Sequence, residues 1–164
     1  MTPLLEFVPN FSEGRRKDVV DALVAAMTVV AGVKCLGSEL DASHNRAVVT
    51  LAGPASSIAE AAVNGAKAAI ERIDLRTHKG EHKRMGAMDV CPFVPLAGAT
   101  MADAVTTAKH VGARIAKLGL PVFLYAEAAG RESRRVLGNF RNKEFEGLMS
   151  LVGTDPEYTP DFGP

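Results

Sequence analysis

Two apolar stripes at helical spacing, set between short runs of β-branched residues, constrain this chain more than any other feature. Residues 15–30 carry Val19, Val20, Leu23, Val24, Met27 and Val30, and the segment opened by Pro54 carries Ile58, Ala62, Val63, Ala66, Ala69, Ile70 and Ile73. Side chains three and four residues apart share one face of an α-helix, so each segment predicts a helix with one side to bury. Gly32 ends the first, and Ser57 with Glu60 predicts a capping box for the second. Around them, residues 4–8 (LLEFV) predict a strand stopped by Pro9-Asn10, and residues 33–40 and 46–51 predict two strands flanking the loop DASHN. Residues 89–96 predict a further strand, which Pro92 and Pro95 make short or confine to an edge. Thr100 and Asp103 predict a capping box, followed by a helix with Val105, Ala108, Val111, Ile115 and Leu118 on one face and Gly119 at its end. Residues 121–126 (PVFLYA) predict a last strand; from Arg131 onward the chain predicts short helical pieces and a proline-interrupted tail.

This order predicts an α+β fold: a ferredoxin-like βαββαβ core with an additional helix and strand, its helices on one face of a mainly antiparallel sheet. The 164 residues suit one domain with a substantial core. The second sheet face must be covered or left exposed for a partner.

Composition removes several function classes. Lys+Arg and Asp+Glu are 19 each, so no global charge favours nucleic acid or an acidic membrane. No apolar run approaches the ~20 residues of a membrane span, and Met1 is followed by no signal-peptide pattern, which predicts a cytoplasmic protein. Cys35 and Cys91 lie in apolar stretches and read as small buried residues in a reducing compartment, without a disulfide.

The chemistry is densest in residues 76–93, RTHKGEHKRMGAMDVCPF. His78 to His82 match H-x-x-E-H, a zinc-peptidase pattern that works only on a helix. Gly80 at its centre disfavours helix, and Lys79, Lys83 and Arg84 oppose a dication, so no metal is expected. A histidine titrates near neutral pH and suits a general base; Glu81 would orient it and Arg84 would grip a carboxylate, while a plain polar loop remains the alternative. Asn10 and Ser12, at the start of the first helix, are candidates for anion binding or simple capping. Asp41, His44, Asn45 and Arg46 fill a loop that reads as a site or as a turn held by local hydrogen bonds.

Five stretches together resemble the formiminotransferase domain of glutamate formimidoyltransferases and formimidoyltransferase-cyclodeaminases: VPNFSEGR (8–15), HNRAVVTLAGP (44–54), HKGEHKRMGAMDVCPFVPL (78–96), PVFLYAEAA (121–129) and PDFGP (160–164). The resemblance runs along residues 1–164 and is to the N-terminal subdomain, with the C-terminal subdomain absent. It implies transfer of a formimino group from N-formimino-glutamate to tetrahydrofolate as co-substrate, without a metal. It implies His82 as the base. Asn10, Ser12, Asp41, Asn45, Arg46, Glu81 and Arg84, with Asp161, Phe162, Gly163 and Pro164, would line the substrate and folate site. The implied partner is a C-terminal formiminotransferase subdomain that closes the other side of the folate site; an uncovered apolar surface would otherwise favour a homodimer. Two departures stand out: Lys83 replaces the family's proline, and Ser43 replaces an acidic residue. The rival reading is a stand-alone folate-binding or interaction protein of the same fold, without turnover.

Overall fold

A computed structural model describes residues 2–81 and 83–164. The sheet is antiparallel throughout its named pairings. Its first strand is split into β1 (Leu4–Phe7) and β2 (Asn10–Phe11), and its last into β5 (Met88–Val90) and β6 (Phe93–Pro95). β3 (Lys34–Asp41) and β4 (Arg46–Pro54) complete it. β5 pairs with β2 and β6 with β1; β1 and β2 both pair with β4, and β4 pairs with β3. With α1 (Lys17–Thr28) and α2 (Ala55–Arg72) as crossovers, this is the ferredoxin-like order anticipated from the sequence.

The first strand ends before Pro9-Asn10 as expected, but its run along β4 does not. Proline removes a donor, but its carbonyl still accepts the Val49 N–H at 3.2 Å, so pairing with β4 resumes at Asn10. Leu5 and Phe7 on β1, Phe11 on β2 and Ala47, Val49 and Leu51 on β4 are fully buried toward the helices. Leu5, Phe7, Phe11, Val49 and Leu51 form one cluster with Leu23 and Met27 of α1 and Ile58, Ala62 and Ala69 of α2. Burying one large side chain of this kind contributes about 1.5–3 kcal/mol, so this layer dominates stability. Gly65 lets α2 approach: a β-carbon there would lie 2.9 Å from Met27 Sδ and 3.1 Å from Met88 Cε.

Helix starts divide sharply. The expected Ser57–Glu60 box is not formed: α2 begins at Ala55 behind Pro54, and no side chain caps it. Glu60 instead grips Arg114 of α3 (Met101–Ala116) with both carboxylate oxygens. The Thr100–Asp103 box is formed, with reciprocal bonds of 3.2 and 2.8 Å. Gly119, with φ +91°, ends that third helix region.

The PVFLYA segment is not a strand. Val122 makes a single bridge to Phe162, and the Leu124 N–H goes to the Asp161 carboxylate at 2.7 Å. Tail groups thus take the donors a ladder would need, and 126–128 turn into a 3-10 helix. Short helices α4 (Leu137–Arg141) and α5 (Glu144–Leu151) follow, as expected of the polar C-terminal third.

Cys35 is exposed, contrary to the reading of both cysteines as buried, because β3 is an edge strand with almost every residue exposed. Both thiols are free. Burial pushes the Cys91 thiol up to about 12, with the nearby Asp89 carboxylate adding to the shift. Among the described residues, no helix is long and apolar enough to cross a membrane.

Candidate active site

Three loops meet at one end of the sheet, and Asn45 joins them. Its side-chain oxygen accepts the Gly14 N–H at 2.8 Å, and its amide donates to the Lys79 carbonyl at 3.1 Å. Its own carbonyl accepts His78 Nε2–H at 2.8 Å. Asn45 has φ +55°, a left-handed conformation that asparagine tolerates better than most residues. The approach leaves no room for side chains. A β-carbon on Gly14 would lie 2.3 Å from the Asp41 carbonyl oxygen, and one on Gly80 would lie 2.3 Å from that of His44. The Glu81 N–H completes the junction with a bond to the Ser43 carbonyl at 3.2 Å. This is the physical content of the two glycines in SEGR and HKGEH.

Ser12 and Glu13 fasten the other side of the first loop. Ser12 is fully buried; its hydroxyl donates to Gly86 at 2.8 Å and its N–H to Ala87 at 2.9 Å. Glu13 accepts the N–H groups of Arg15 and Arg16, both at 3.0 Å, and the Arg16 guanidinium at 2.6 Å. Burial acts to raise the Glu13 pKa, but these donors together outweigh it and hold the carboxyl below its ordinary value. An internal carboxylate therefore occupies the anion position that the sequence suggested at the start of α1. Asn10, on β2, donates to the Val8 carbonyl at 3.1 Å and sits opposite Val48 and Val90.

His78 and Arg84 form a buried lock. Arg84 Nε can only donate, and it donates to His78 Nδ1 at 3.1 Å; His78 is therefore the neutral tautomer with its proton on Nε2. Both ring nitrogens are engaged, so His78 offers a lone pair to neither a metal nor a substrate. Among the described residues, no group of three His, Cys, Asp or Glu converges as a metal site. Arg84 is only 7% exposed, and its fork closes on Glu146 of α5 at 2.6 and 2.9 Å. It also reaches the Leu75 and His78 carbonyls at 3.1 and 3.3 Å. The hydrogen bonds to Glu146 raise the Arg84 pKa, and the same contact lowers that of Glu146. The arginine expected to grip a substrate carboxylate thus grips one from its own chain.

The turn after Lys83 is organised by Asp89. Its Oδ1 accepts the Met85 and Gly86 N–H groups at 2.5 and 3.1 Å, and Arg141 reaches its Oδ2 at 2.5 Å. Lys83 bonds Asn142 at 3.3 Å, giving a surface contact to the residue found in place of proline. In the DASHNR loop, Asp41 accepts both the His44 N–H at 3.1 Å and its Nδ1 at 2.8 Å. These bonds, the backbone one first, lower the Asp41 pKa. His44 Nε2 lies 4.0 Å from Glu81, which is itself largely exposed. His82, the residue expected to be the base, lies outside the described residues.

Asp161, Phe162 and Gly163 pack at a different place, and Pro164 after them is exposed. The fully buried Arg134 bonds Asp161 at 2.9 Å and the Glu157 and Thr159 carbonyls at 2.9 and 2.7 Å. Phe162 lies against Gly112 of α3, where a β-carbon would come within 3.0 Å of its ring. Gly163, at φ +86°, packs so closely on the Leu120 carbonyl that a β-carbon would lie 2.2 Å away. Sequence reading missed Glu13, Asp89 and Arg134 as organisers. Glu13, three residues before Arg16, was the one with a readable signal, an acid at a helix entry.

The α+β core thus brings two glycine-tight loops, braced by one asparagine, together at one end of a ferredoxin-like sheet. Comparison with known proteins makes the assignment specific. Residues 4–164 match the family model described as the formiminotransferase domain, N-terminal subdomain, and the chain belongs to that family. It is 47% identical over 165 residues to the formimidoyltransferase-cyclodeaminase of Gallus gallus, covering 100% of this chain and 30% of that protein. It is 45% identical over 164 residues to the glutamate formimidoyltransferase of Streptococcus pyogenes serotype M1, covering 99% of this chain and 54% of that protein. The corresponding enzyme of Thermoplasma acidophilum is 47% identical over 164 residues, with 98% and 54% covered. The chain therefore spans about half the length of these formimidoyltransferases and under a third of the bifunctional relative.

Proposed function

We propose that this chain is the base-bearing subdomain of a folate-dependent glutamate formimidoyltransferase. The observation that carries the reading is family membership along residues 4–164, together with relatives named as formimidoyltransferases. The geometry supports it in one further respect. The loop leading to position 82 is held by the Asn45, Gly80 and Glu81 contacts, and its other histidine, His78, is neutral and fully engaged. A general base needs a free lone pair within reach of the proton it removes; His78 has none to offer, which supports the reading of His82 as the base.

In the proposed reaction, His82 takes the proton from the attacking pteridine nitrogen of tetrahydrofolate as that nitrogen adds to the formimino carbon of N-formimino-glutamate. The tetrahedral intermediate then expels the glutamate amine, which receives a proton from the imidazolium. The folate nitrogen gains the formimino group, glutamate gains the proton, and no redox partner is needed. Positioning two substrates beside one base is the main catalytic device for such a transfer. The second wall of the folate site comes from a C-terminal formiminotransferase subdomain, and the intact assembly works in the cytoplasm. Formimino transfer to tetrahydrofolate, followed by the appearance of glutamate, tests the reading on this chain combined with a C-terminal subdomain. Turnover that requires both parts is the expected result; no turnover in the combined assembly rejects it.

A further inference from the structure

We propose that Arg46 is the carboxylate clamp of this site and that it takes the α-carboxylate of the amino-acid donor; the assignment of the donor rests on the function proposed above. Arg46 opens β4, whose alternation turns Ala47, Val49 and Leu51 to the helices and leaves Arg46, Val48 and Thr50 toward the open face. Its direct cross-strand neighbour on β3 is Asp41. Opposite charges in directly paired positions normally meet. Here both Asp41 oxygens are engaged by His44 instead, at 2.8 and 3.1 Å. Among the described residues, Arg46 has no ion pair, and its Nε is shut off from solvent with no acceptor. Arg84, by contrast, is paired with Glu146.

A half-buried guanidinium without an acceptor calls for an anion, and its planar fork fits a carboxylate. Position decides which carboxylate. Arg46 directly follows Asn45, which holds His78 and Lys79, and Lys79 stands three residues before the proposed base in the sequence. In N-formimino-glutamate, the α-carboxylate is separated from the transferring carbon only by the amine nitrogen and its Cα. The glutamate of folate lies beyond the aminobenzoyl group, at the far end from the reacting pteridine nitrogen. A cation next to the base loop therefore meets the donor's α-carboxylate.

The test is binding, read without turnover. L-glutamate, L-glutamine and the α-amide of glutamate are titrated into the isotope-labelled chain and followed by amide chemical shifts. Glutamate and glutamine, which keep the α-carboxylate, should bind alike, with a Kd of order 1–10 mM. The α-amide should bind about 10–100-fold more weakly. Arg46→Ala should weaken glutamate by a similar factor and erase that discrimination, and Arg46→Lys, which keeps the charge without the fork, should recover part of it. Tetrahydrofolate binding should not change. Equal binding of glutamate and its α-amide by the unaltered chain, no measurable glutamate binding, or unchanged binding in Arg46→Ala each overturns the clamp, and the amide comparison stands even if that variant fails to fold. Arg46-dependent glutamate binding in an assembly that transfers nothing overturns only the proposed function. Turnover with an Arg46-independent donor KM overturns only the clamp.

Discussion

Replacing Asn45 by alanine should unfasten the three-loop junction, and the structure sets the size of the effect. The substitution leaves the buried Gly14 N–H without its acceptor at 2.8 Å, which costs about 1–3 kcal/mol. It also removes the bond to the partly buried Lys79 carbonyl, worth about 0.5–1.5 kcal/mol. Holding alanine at φ +55° adds about 1 kcal/mol. These terms share one site and do not add fully, so a loss of about 3 kcal/mol is expected. For a chain of this size that corresponds to a fall in Tm of about 6–12 °C. Asn45→Gly makes the same hydrogen-bond losses without the backbone strain and should recover about 1 kcal/mol of the deficit. Urea unfolding with an unchanged m-value measures both, and hydrogen exchange at Glu81 reports the loosened loop directly. An Asn45→Ala variant within about 0.5 kcal/mol of the parent, the range of an ordinary surface change, would refute the brace. So would a glycine variant no more stable than alanine.

Glu13 gives a pH signature. Its folded pKa lies below the ordinary 4.5, so the unfolded chain binds more protons between the two values. Its contribution is complete above 4.5 and is lost as pH falls through the folded value; urea midpoints from pH 6 to 3 should therefore fall less steeply in Glu13→Gln. An equal fall in both proteins would remove Glu13 from the account. The two thiols should separate under alkylation near pH 8: exposed Cys35 reacts readily in the folded chain, whereas half-buried Cys91, with its thiol raised to about 12, reacts far more slowly until the chain unfolds. Mass spectrometry of the alkylated chain reads this, and equal native-state labelling of the two thiols would contradict it.

The fold was legible wherever periodicity and backbone chemistry agreed. The α1 and α2 stripes, the β-branched run of β4 and the Thr100–Asp103 box all correspond to observed elements. PVFLYA misled because its composition is that of a strand, while its donors go to Asp161 and Phe162, nearly forty residues away in sequence. Pro9 marked the end of β1 but hid the resumption at Asn10, since a proline stops donation but not acceptance. The Ser57–Glu60 spacing matched a cap, but Pro54 had already started the helix and Arg114 claimed the glutamate. At the site, the residue types were readable and their pairings were not. Nothing local in the sequence says that Arg84 will find Glu146, 62 residues later, or that Asp41 will choose His44 over the Arg46 across from it. Those choices arise from which loops the sheet brings together.

The division of labour between the two loop histidines is the central claim, and paired alanine variants in the complete assembly test it most directly. Formimino transfer and urea stability are measured together for His82→Ala and His78→Ala. Removing a general base costs about 10²–10⁴ in rate, so His82→Ala should lose that much transfer with an unchanged urea midpoint. His78→Ala should instead lose about 2–4 kcal/mol of stability, because Arg84 Nε and the Asn45 carbonyl both lose their partner. Transfer should persist in it wherever the protein remains folded. A His78→Ala variant that is stable but inactive, beside an active His82→Ala, would contradict the account.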